Sequence, residues 1–537
     1  MRLLISVILL ALAAARPAAA ITARDPFLDE VQRRSFLFFW NETDPVTGLT
    51  KDRSHNFEPD TYDVGSTAAT GFALSAACIG AEHGWVTRAR AQERVLLTLR
   101  WLEKDPDVRH GLYPHFIHFK TGERAWKCEY STIDTALLLC GALTAGEYFG
   151  GETKSIAERL YRRVDWVYWS PRGFICHGSR PEEGEFLAFD YSGYSEALIL
   201  YTLAIGSPTH PTDPAQWGRL GRWIARYGPY SSIAGSSLFV NQYPNLYVDF
   251  HHRTDGVADY WENARVNTLA NRRFCIDQAA NHKGYGPDVW GLTAGDGPDG
   301  YAAYSAEPGG AWQDGTVNPH AAGGSFMFTP VESRRALRAM LDRYRPRLWG
   351  RYGFSDGFNI DKDWWAQDVV GIDTGATLLS IENQRTGLIQ RLFMKNAAPR
   401  AALKRIGFRP APPKPALAPI RASGAVQLEP GSPLQITFHL PAKPAGWGKR
   451  PILLYGGVIE ERTISVALNG RPLGAAEVPR GIAWPAALAV PADRLKWGAE
   501  NTLVILLAGG GAAWYGPLWL GPKEGLDNKP LTVRVVG

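Results

Sequence analysis

The stretch "STIDTALLLCGALTAGEYF", Ser131–Phe149, decides the fold of this chain, because it has helical spacing and almost no charge on any side. A helix that is apolar all round must be enclosed by other protein. The next stretch, "ETKSIAERLYRRVDWVYW" from Glu152 to Trp169, keeps a charged face, which suits an outer layer. This alternation predicts helical hairpins packed as two concentric rings, an (α/α) barrel.

The same two textures recur along residues 25–408, which we interpret as one helical domain. "STAATGFALSAACIGA" (Ser66–Ala81) is small and uncharged, whereas "TRARAQERVLLTLRWLEKD" (Thr87–Asp105) is amphipathic. The spacing also predicts single helices over Ala215–Tyr227 and Thr377–Phe393.

The two ends of the chain have other textures. Residues 1–20, "MRLLISVILLALAAARPAAA", have the pattern of a secretory signal peptide and are too short for a membrane span. We therefore expect an exported protein, periplasmic or extracellular. "RPAPPKPALAPIRA" over residues 409–422 predicts a stiff linker. Runs such as "LQITFHL" and "NTLVILLAG" predict strands, so residues 423–537 predict an accessory β-sandwich of the jelly-roll kind.

Composition excludes some partners. The chain has 537 residues and is 45% hydrophobic, which suits globular domains with large cores. Basic and acidic residues are interspersed, 58 against 53, so we expect no nucleic-acid partner. Without CxxC or HExxH we expect no zinc or redox site, and no bound metal. We also expect a monomer. Among the five cysteines, a disulfide bridge between Cys128 and Cys176 is one possible pairing in an oxidising compartment.

Nineteen Trp and 21 Tyr indicate either large cores or carbohydrate binding.

Acidic residues stand at or just before the starts of enclosed helices. Singly, such acids have structural explanations, since Ser131-x-x-Asp134 is a capping box and first-turn acids interact favourably with the helix dipole. Together they point to chemistry, because the inner helices of a barrel begin on one face and their acids would meet in one cavity. Glycoside hydrolysis needs one carboxylic acid and one carboxylate. The acids are Asp63, Glu129, Asp134, Asp190, Glu196 and Asp373.

Two of these acids suit opposite roles. Glu196 is predicted to be the general acid, because Tyr191, Tyr194 and Asp190 nearby would raise its pKa. Asp373 is the better candidate for the base, because a helix dipole lowers the pKa of a first-turn carboxylate.

Several motifs resemble, in one order, the glycoamylase-like family that includes glycoside hydrolase family 144, the bacterial β-1,2-glucanases. They include "STIDTALLLCGAL", "EALILYTLAIGSPTH", "GYGPDVWGLTAGDGPDGY", "WGRYGFSDGFN" and "GIDTGATLLSIENQRTGL". The resemblance covers about residues 28–408. It implies a six-hairpin (α/α) toroidal barrel and inverting hydrolysis of β-1,2-glucan without a cofactor. It also implies Glu196 as general acid, Asp373 as base, and Asp134 as an acid that supports the sugar or the water.

The chain departs from the family pattern at a few positions. The segment "NQYPNLYVDF" has Asn241 where the family suggests His, and Tyr247 where it suggests Trp. Thr374 stands for Gln in "IDTG", and Gly295 for Ser in "TAGDGP". These departures leave the preferred linkage, the chain length and the endo or exo action open.

Residue type adds further candidates for the substrate groove, with core packing or polar networks at helix ends as the alternative for each. Aromatic faces stack on sugar rings, and polar side chains bind hydroxyls. The candidates are Tyr194, Tyr243, Tyr285, Trp290, Tyr301, Trp312, Arg53, Asp296, His320, Asn359, Gln384 and Arg385, with Asp63, Glu129 and Asp190.

The segment "YGPDVWGLTAGDGPDGY", Tyr285–Tyr301, is too rich in glycine and proline for a helix or a regular strand. No Gly-Lys-Ser/Thr follows it, which excludes a phosphate loop, and the spacing of its acids fits a calcium loop poorly. It predicts a tight loop in which Trp290 or Tyr301, together with Asp296, lines the groove.

Other functions remain open at this point. A transglycosylase or phosphorylase on β-glucan would use the same barrel, a polysaccharide lyase would use a similar one, and a non-catalytic protein would bind the glycan without cleaving it.

Overall fold

The computed structural model describes residues 25–411 except 106, 223, 229 and 236. Beyond these it describes residues 418–419, 426–428, 434–439, 451–459, 462–478, 484–508, 513–515 and 519–522. The predicted signal peptide over residues 1–20 lies outside the described residues, as does most of the predicted linker.

Helices dominate the first part of the described chain. They are α1 (Pro26–Asn41), α2 (Thr67–Glu82), α3 (Arg88–Lys104), α4 (Thr132–Phe149), α5 (Gly151–Arg163), α6 (Leu198–Gly206), α7 (Ala215–Arg219), α8 (Phe239–Tyr247), α9 (Tyr260–Asp277), α10 (Pro319–Gly324), α11 (Pro330–Leu348), α12 (Gly371–Arg385), α13 (Leu388–Phe393) and α14 (Ala397–Ile406). The mainly helical prediction is confirmed.

Six of these helices contact one another in a closed circuit. The order α2, α4, α6, α8, α10, α12 follows the chain, and α12 returns to contact α2. The helices that alternate with them, among them α1, α3, α5, α9 and α11, pack on the six. The six helices are almost wholly buried, as their uncharged sequences predict.

Small residues let the inner helices approach closely. A Cβ atom added at Gly141 of α4 would lie 1.9 Å from the carbonyl oxygen of Gly71 on α2, so neither helix tolerates a side chain there. Serine side chains begin both helices: Ser66 accepts from Ala69 N–H and Ser131 from Asp134 N–H. Each cap stabilises its helix by about 1 kcal/mol.

Two helix predictions need correction, and one helix was not predicted. The predicted helix Ala215–Tyr227 ends at Arg219, and the chain then forms a hairpin that turns at Gly228, where φ is +51°. The predicted helix Thr377–Phe393 is two helices, α12 and α13, because Gly387 adopts φ of +66° between them. Helix α8 contains Pro244, which hid it from sequence analysis.

Short antiparallel strands carry the loops of the helical part. They are β1 (Arg53–His55), β2 (Val64–Ser66), β3 (Phe116–His118), β4 (Tyr130–Ser131), β5 (Gly178–Ser179), β6 (Ile224–Tyr227), β7 (Tyr230–Ile233), β8 (Arg253–Thr254), β9 (Ala294–Gly297), β10 (Gly300–Ala303), β11 (Thr316–Val317), β12 (Trp349–Gly350), β13 (Gly353–Phe354), β14 (Phe358–Asn359), β15 (Trp364–Trp365), β16 (Asp368–Val370) and β17 (Arg409–Pro410). Strands β2, β4 and β16 lead directly into α2, α4 and α12, while β1 pairs with β16, β2 with β3 and β4 with β5.

The last part of the described chain is made of strands, as predicted. They are β18 (Ala418–Pro419), β19 (Val426–Leu428), β20 (Leu434–His439), β21 (Pro451–Ile459), β22 (Arg462–Leu468), β23 (Arg471–Val478), β24 (Trp484–Ala489), β25 (Glu500–Ala508), β26 (Ala513–Tyr515) and β27 (Trp519–Pro522). One antiparallel sheet has the order β18-β27-β21-β26-β19, with β24 on β21, and a second has the order β20-β25-β22-β23. Their arrangement as a sandwich stays a prediction.

Two further features follow from the described residues. All five cysteines are buried free thiols, so the Cys128–Cys176 bridge is not formed. The Cys128 thiol instead donates to the carbonyl oxygen of Phe116. Within the described ranges, we find no helix with the length and apolar character that crossing a bilayer would require.

Candidate active site

Acidic side chains from three inner helices meet at the end where those helices begin. Asp134 and Asp373 lie in the first turns of α4 and α12, and Glu196 lies two residues before α6. Tyr243 of α8 links them, because its hydroxyl is 3.4 Å from Asp373 Oδ1. Burial and the carboxylates of Asp373, Asp356 and Glu196 raise the pKa of Tyr243 well above its ordinary value. The acids therefore share one cleft.

Glu196 is the carboxyl group with the clearest acid character. Burial, opposed by its own backbone N–H and assisted by the nearby charge of Asp134, raises the pKa of Glu196 to about 7. The side chain keeps partial contact with solvent although protein surrounds it densely. The expected raised pKa is confirmed, but its second carboxylate is Asp134. Asp190 instead forms a bidentate pair with Arg172.

An imidazole stands beside Asp134. His115 Nδ1 is 2.8 Å from Glu129 Oε1, and its Nε2 is 3.6 Å from Asp134 Oδ1. Despite burial, the carboxylates of Asp134, Glu129 and Asp52 raise the pKa of His115 to about 9. The hydrogen bond from His115 lowers the pKa of Glu129 to about 2. At neutral pH this corner therefore holds an imidazolium paired with the carboxylate of Glu129, while burial raises the pKa of Asp134 above its ordinary value.

A second histidine lies between two buried carboxyl groups. His320 Nε2 donates to the carbonyl oxygen of Ala294 at 2.8 Å and lies 3.3 Å from Asp373 Oδ1. Its Nδ1 is 3.5 Å from Asp356 Oδ1. Burial and the charge of Asp373 raise the pKa of Asp356 well above its ordinary value. Burial also raises that of Asp373, although a hydrogen bond from Asp356 opposes the shift.

A cluster of Arg53 and three carboxylates borders the Asp356–Asp373 pair. Arg53 Nη1 contacts both carboxylate oxygens of Asp296, at 2.9 and 3.1 Å, and Arg53 Nε contacts Asp52 Oδ2 at 3.2 Å. Asp368 Oδ2 lies 3.7 Å from the same guanidinium. A planar guanidinium between carboxylates holds them in fixed positions. This cluster fixes the strand β16 that leads into Asp373.

The glycine-rich segment forms a hairpin of β9 and β10, so the expectation of no regular strand was wrong. Tyr301 on β10 places its hydroxyl 3.4 Å from Asp373 Oδ2 while 44% of its surface stays accessible. A Cβ atom at Gly295 would lie 2.4 Å from Asn318 Nδ2 and 2.9 Å from Asp356 Oδ2. Gly295 therefore allows the strand to approach the buried carboxyl pair.

A small cavity of about 20 Å³ lies behind His320 and Asp356. Ser35, Ser355 and Thr377 contribute hydroxyl groups to its walls. Its volume and its polar partners fit one water molecule. Such a water would connect the carboxyl pair to the polar network of the core.

Two residue sets have the composition of a metal site. In each of the sets His115–Glu129–Asp134 and His320–Asp356–Asp373, the candidate ligand atoms lie within 4.8 Å of one another. His115 is an imidazolium at neutral pH, so a cation at the first set would have to displace its proton. His320 keeps only Nδ1, because Nε2 donates to a carbonyl oxygen.

Known proteins are similar to this chain in fold and in sequence. A family model described as "Glycoamylase: Putative glucoamylase" matches residues 188–397. The solved endo-β-1,2-glucanase from Chitinophaga pinensis, in complex with sophorotriose and glucose, is 30% identical and has a TM-score of 0.67. The similarity covers 72% of this chain and 99% of that one. The chain belongs to the glycoamylase-like family.

Two further members come from Parabacteroides distasonis. An exo β-1,2-glucooligosaccharide sophorohydrolase acting at the non-reducing end is 31% identical over 426 residues, which are 71% of this chain and 58% of that protein. This chain thus matches little more than half of that curated relative. A solved β-1,2-glucanase is 29% identical with a TM-score of 0.65, over 71% of this chain and 59% of that one.

Two departures from the glycoamylase-like pattern lie in the core. Asn241 is fully buried, where its Oδ1 accepts from the hydroxyl of Tyr194 and its Nδ2 donates to the carbonyl oxygen of Gly235. Tyr247 is fully buried, with its hydroxyl 3.1 Å from that of Ser75. Both residues therefore support the packing of the inner helices.

The structure brings some of the predicted residues to the cleft and leaves others away from it. It brings Arg53, Glu129, Asp134, Glu196, Tyr243, Asp296, Tyr301, His320 and Asp373 together. Tyr243 does so through its hydroxyl, since its ring is buried. Trp312 keeps 56% of its surface exposed and stacks on Tyr304.

Other predicted residues have structural positions. Trp290 and Tyr285 are buried in a core cluster, so the large aromatics of the glycine-rich segment mostly pack. Asp63 is exposed beside His118, 3.9 Å away. Asn359 binds the backbone of Asp314. These residues, with Tyr194 and Asp190, are not brought to the acids.

Gln384 and Arg385 lie at the wrong end of α12 for the predicted role. Asp373 is in the first turn, whereas Gln384 and Arg385 are the last two residues. A helix of 15 residues is about 22 Å long. Arg385 is paired with Asp29 on α1. The shared motif misled the prediction because it runs the whole length of the helix.

Sequence analysis missed Asp356, His115 and Asp52. Asp356 stands in the quoted motif "WGRYGFSDGFN", but an Asp-Gly pair indicates a turn as readily as a site. His115 precedes Glu129 by 14 residues, and antiparallel bridges within residues 114–130 form a hairpin that brings them together. Asp52 directly precedes Arg53, a spacing that does not distinguish a site from a surface pair.

Proposed function

We propose that this protein is a glycoside hydrolase that cleaves β-1,2-glucan or β-1,2-gluco-oligosaccharides by an inverting mechanism, in a six-hairpin (α/α) toroidal barrel. The observation that carries the proposal is Glu196, a partly accessible carboxyl group with a pKa raised to about 7, in one cleft with Asp373. The closed circuit of inner helices and the activities named for the relatives support it.

Glu196 is assigned the general-acid role. Near neutral pH a substantial fraction of this carboxyl group is protonated, so it has a proton to give to a leaving glycosidic oxygen. Burial disfavours the charged form of Glu196 and keeps the proton on it, and the nearby carboxyl group of Asp134 adds to this effect. Burial also raises the pKa of Asp134 above its ordinary value, although the charge of His115 opposes that shift.

Asp373 is assigned the base role. The pair with Asp356 holds a proton, and we place it on Asp356, which donates a hydrogen bond toward Asp373. The prediction that the helix dipole would lower the pKa of Asp373 is not supported, because burial dominates there. Asp373 accepts a proton from water when Asp356 keeps its own. Inversion requires the two catalytic carboxyl groups to lie about 6.5–9.5 Å apart.

The competing chemistries have weaker support. A phosphorylase needs cations free to bind phosphate, whereas Arg53 and His115 are each held by carboxylates. A lyase needs a tyrosine or histidine base. Burial and nearby carboxylates raise the pKa of Tyr301 well above its ordinary value, which makes it a poor base. Hydrolysis therefore fits the described charges best.

The test is incubation with linear β-1,2-glucan beside β-1,3-, β-1,4- and α-glucans, with and without phosphate. We expect reducing sugar to be released from the β-1,2-glucan alone, independently of phosphate, with the α anomer formed first as seen by NMR. Because Glu196 must be protonated, kcat/KM falls as the pH rises through about 7. Glu196→Gln should lower kcat by about 10²–10⁴-fold. Binding without any cleavage would support a glycan-binding protein instead.

Export is a second proposal, carried by the pattern of residues 1–20. Expression of the full chain in a Gram-negative host, followed by fractionation and N-terminal sequencing, tests it. We expect a periplasmic or secreted protein that begins near residue 21. An intact first residue in a cytoplasmic fraction would contradict export.

A further inference from the structure

A strained turn holds one tryptophan out into solvent. Trp126 and Lys127 have φ of +53° and +49°, and Cys128 N–H donates to Ala125 carbonyl oxygen at 3.0 Å across them. Two positive φ values in a two-residue turn define type I′, which favours Asn and Gly. Bulky residues rarely adopt this conformation. Trp126 nevertheless keeps 64% of its surface exposed.

The turn stands next to the acids of the cleft. The ring of Trp126 lies 5.2 Å from that of Phe116, and Phe116 stacks on His115 at 3.8 Å with a tilt of 16°. His115 contacts Glu129 and Asp134 directly. Two ring contacts therefore connect Trp126 to His115, which itself touches two acidic side chains of the candidate site.

The support beneath the turn is firm. Ala125 N–H donates to Phe116 carbonyl oxygen at 3.0 Å, which closes the hairpin behind the tryptophan. Arg124 Nη2 donates to Glu182 Oε2 at 2.6 Å and ties the hairpin to the neighbouring loop. A rigid aromatic side chain loses little conformational entropy on binding. The turn thus presents the indole in a fixed position.

We propose that Trp126 forms an outer sugar-binding subsite, where its indole stacks on a pyranose ring of a glucan chain whose scissile bond lies at the acids. The apolar C–H face of a pyranose matches an exposed indole, and stacking on it tolerates the rest of the chain. This inference rests on the proposed function. It deepens that function, because such a subsite makes activity depend on substrate length.

Two other exposed aromatic side chains lie on and after β10, in a different part of the chain. Tyr301 contacts Asp373 with its hydroxyl, and Trp312 is 56% exposed and stacks on Tyr304. Trp126 is instead linked through Phe116 to His115, which lies beside Asp134. We therefore expect that Tyr301 and Trp312 do not compensate for the loss of Trp126.

The decisive variant is Trp126→Asn, because Asn removes the indole and fits a left-handed turn. We expect KM for long linear β-1,2-glucan to rise about tenfold, which corresponds to about 1.4 kcal/mol. KM for the shortest cleaved oligosaccharide should change less than twofold. The unfolding midpoint should stay the same or rise, since backbone strain is relieved. Trp126→Phe should keep most of the affinity for the long chain.

Val257→Ala is the matched control, because Val257 is 63% exposed in the turn after α8, at the opposite end of the inner helices. It should leave both KM values unchanged. If Trp126→Asn changed KM equally for every chain length, or lowered the unfolding midpoint without changing KM, the subsite would be refuted while the proposed function stood.

A wild type that cleaves no glucan would refute the proposed function separately. The subsite is then tested by calorimetric titration of the wild type and Trp126→Asn with the same linear glucan. Tighter binding by the wild type supports the platform, and equal binding or none overturns it.

Discussion

Helix α12 carries two buried carboxyl groups whose pKa values shift in opposite directions. Asp373, in the first turn, is 1% exposed, and Glu382, near the end, is 0% exposed. Burial raises the pKa of Asp373 well above its ordinary value. Burial also acts on Glu382, but hydrogen bonds from His83, Thr386 and Gln32 outweigh it and lower the pKa.

The helix dipole predicts the reverse of these shifts. The N-terminal end of a helix favours a negative charge and the C-terminal end disfavours it. Glu382 is nevertheless the acid whose ionised form is favoured, because His83 lies at 2.7 Å, Thr386 at 2.6 Å and Gln32 at 3.0 Å. The direct donors of a buried carboxylate therefore outweigh the dipole of the helix that carries it.

The two ends also differ in what they do for the molecule. Glu382 joins α12 to α1 and α2 through Gln32 and His83 and so stabilises the packing of the helices. Asp373 faces Asp356 and a cleft, where the repulsion between buried acids costs stability and keeps the group reactive. Substitutions at the two ends should therefore have opposite effects.

The largest effect is expected for Asp373→Asn. Removing the candidate base should lower kcat by about 10²–10⁴-fold on β-1,2-glucan, measured as reducing sugar released. An acid whose folded pKa is raised destabilises the fold at neutral pH, so its removal should leave the unfolding midpoint unchanged or higher. Asp342→Asn on the surface of α11 is the control. Retained activity in Asp373→Asn would move the base to another carboxylate.

Glu382→Gln should have the opposite effects, a loss of stability without a loss of activity. Loss of the charge that binds His83 should lower the free energy of unfolding by about 3 kcal/mol at pH 7. Because the folded pKa of Glu382 is lowered, its contribution is present above the unfolded value and lost as the pH falls through the folded one. The difference from the wild type should therefore shrink toward pH 3 in chemical denaturation.

The exposed pair Arg100–Glu152 supplies the control for that variant. Glu152→Gln should leave the unfolding midpoint unchanged, because both side chains are 52% exposed. Activity per folded molecule should stay at the wild-type level in Glu382→Gln. A loss of kcat without a loss of stability would contradict the structural role of this end.

A smaller effect is expected for Asp356→Ala. The hydrogen bond from Asp356 lowers the pKa of Asp373, so without it that pKa should rise and the acid limb of kcat/KM should move to higher pH. Activity at pH 7 should fall about tenfold, because Asp356 also orients His320. An unmoved acid limb would show that Asp373 and Asp356 do not share a proton.

Much of the fold follows from patterns that residues impose locally. The uncharged texture of Ser131–Phe149 requires enclosure, and most of this helix is buried. Strand predictions around residues 434–439 and 500–508 are confirmed for the same reason. Local patterns fail where one residue changes the backbone: Gly387 splits a predicted helix, and Pro244 hides one.

The site was harder to predict, because charge environments come from distant segments. The acid character of Glu196 is predictable in direction and in its main cause, burial, but its neighbouring carboxyl group is not, since Asp134 is 62 residues away along the chain. The carboxyl pair of Asp356 and Asp373 depends on how α10, β14 and α12 meet. The separation of Gln384 from Asp373 was readable from the sequence, because eleven residues along one helix span about 16 Å.

The contact between α2 and α12 can form only late in the synthesis of the chain. These helices are neighbours in the inner circuit, but α12 begins roughly 300 residues after α2. Until α12 leaves the ribosome, one apolar side of α2 has no partner. The same late helix carries the candidate base. A nascent or truncated chain that ends before α12 therefore lacks both its last inner helix and the candidate base. Only a chain that extends past α12 holds the complete candidate site.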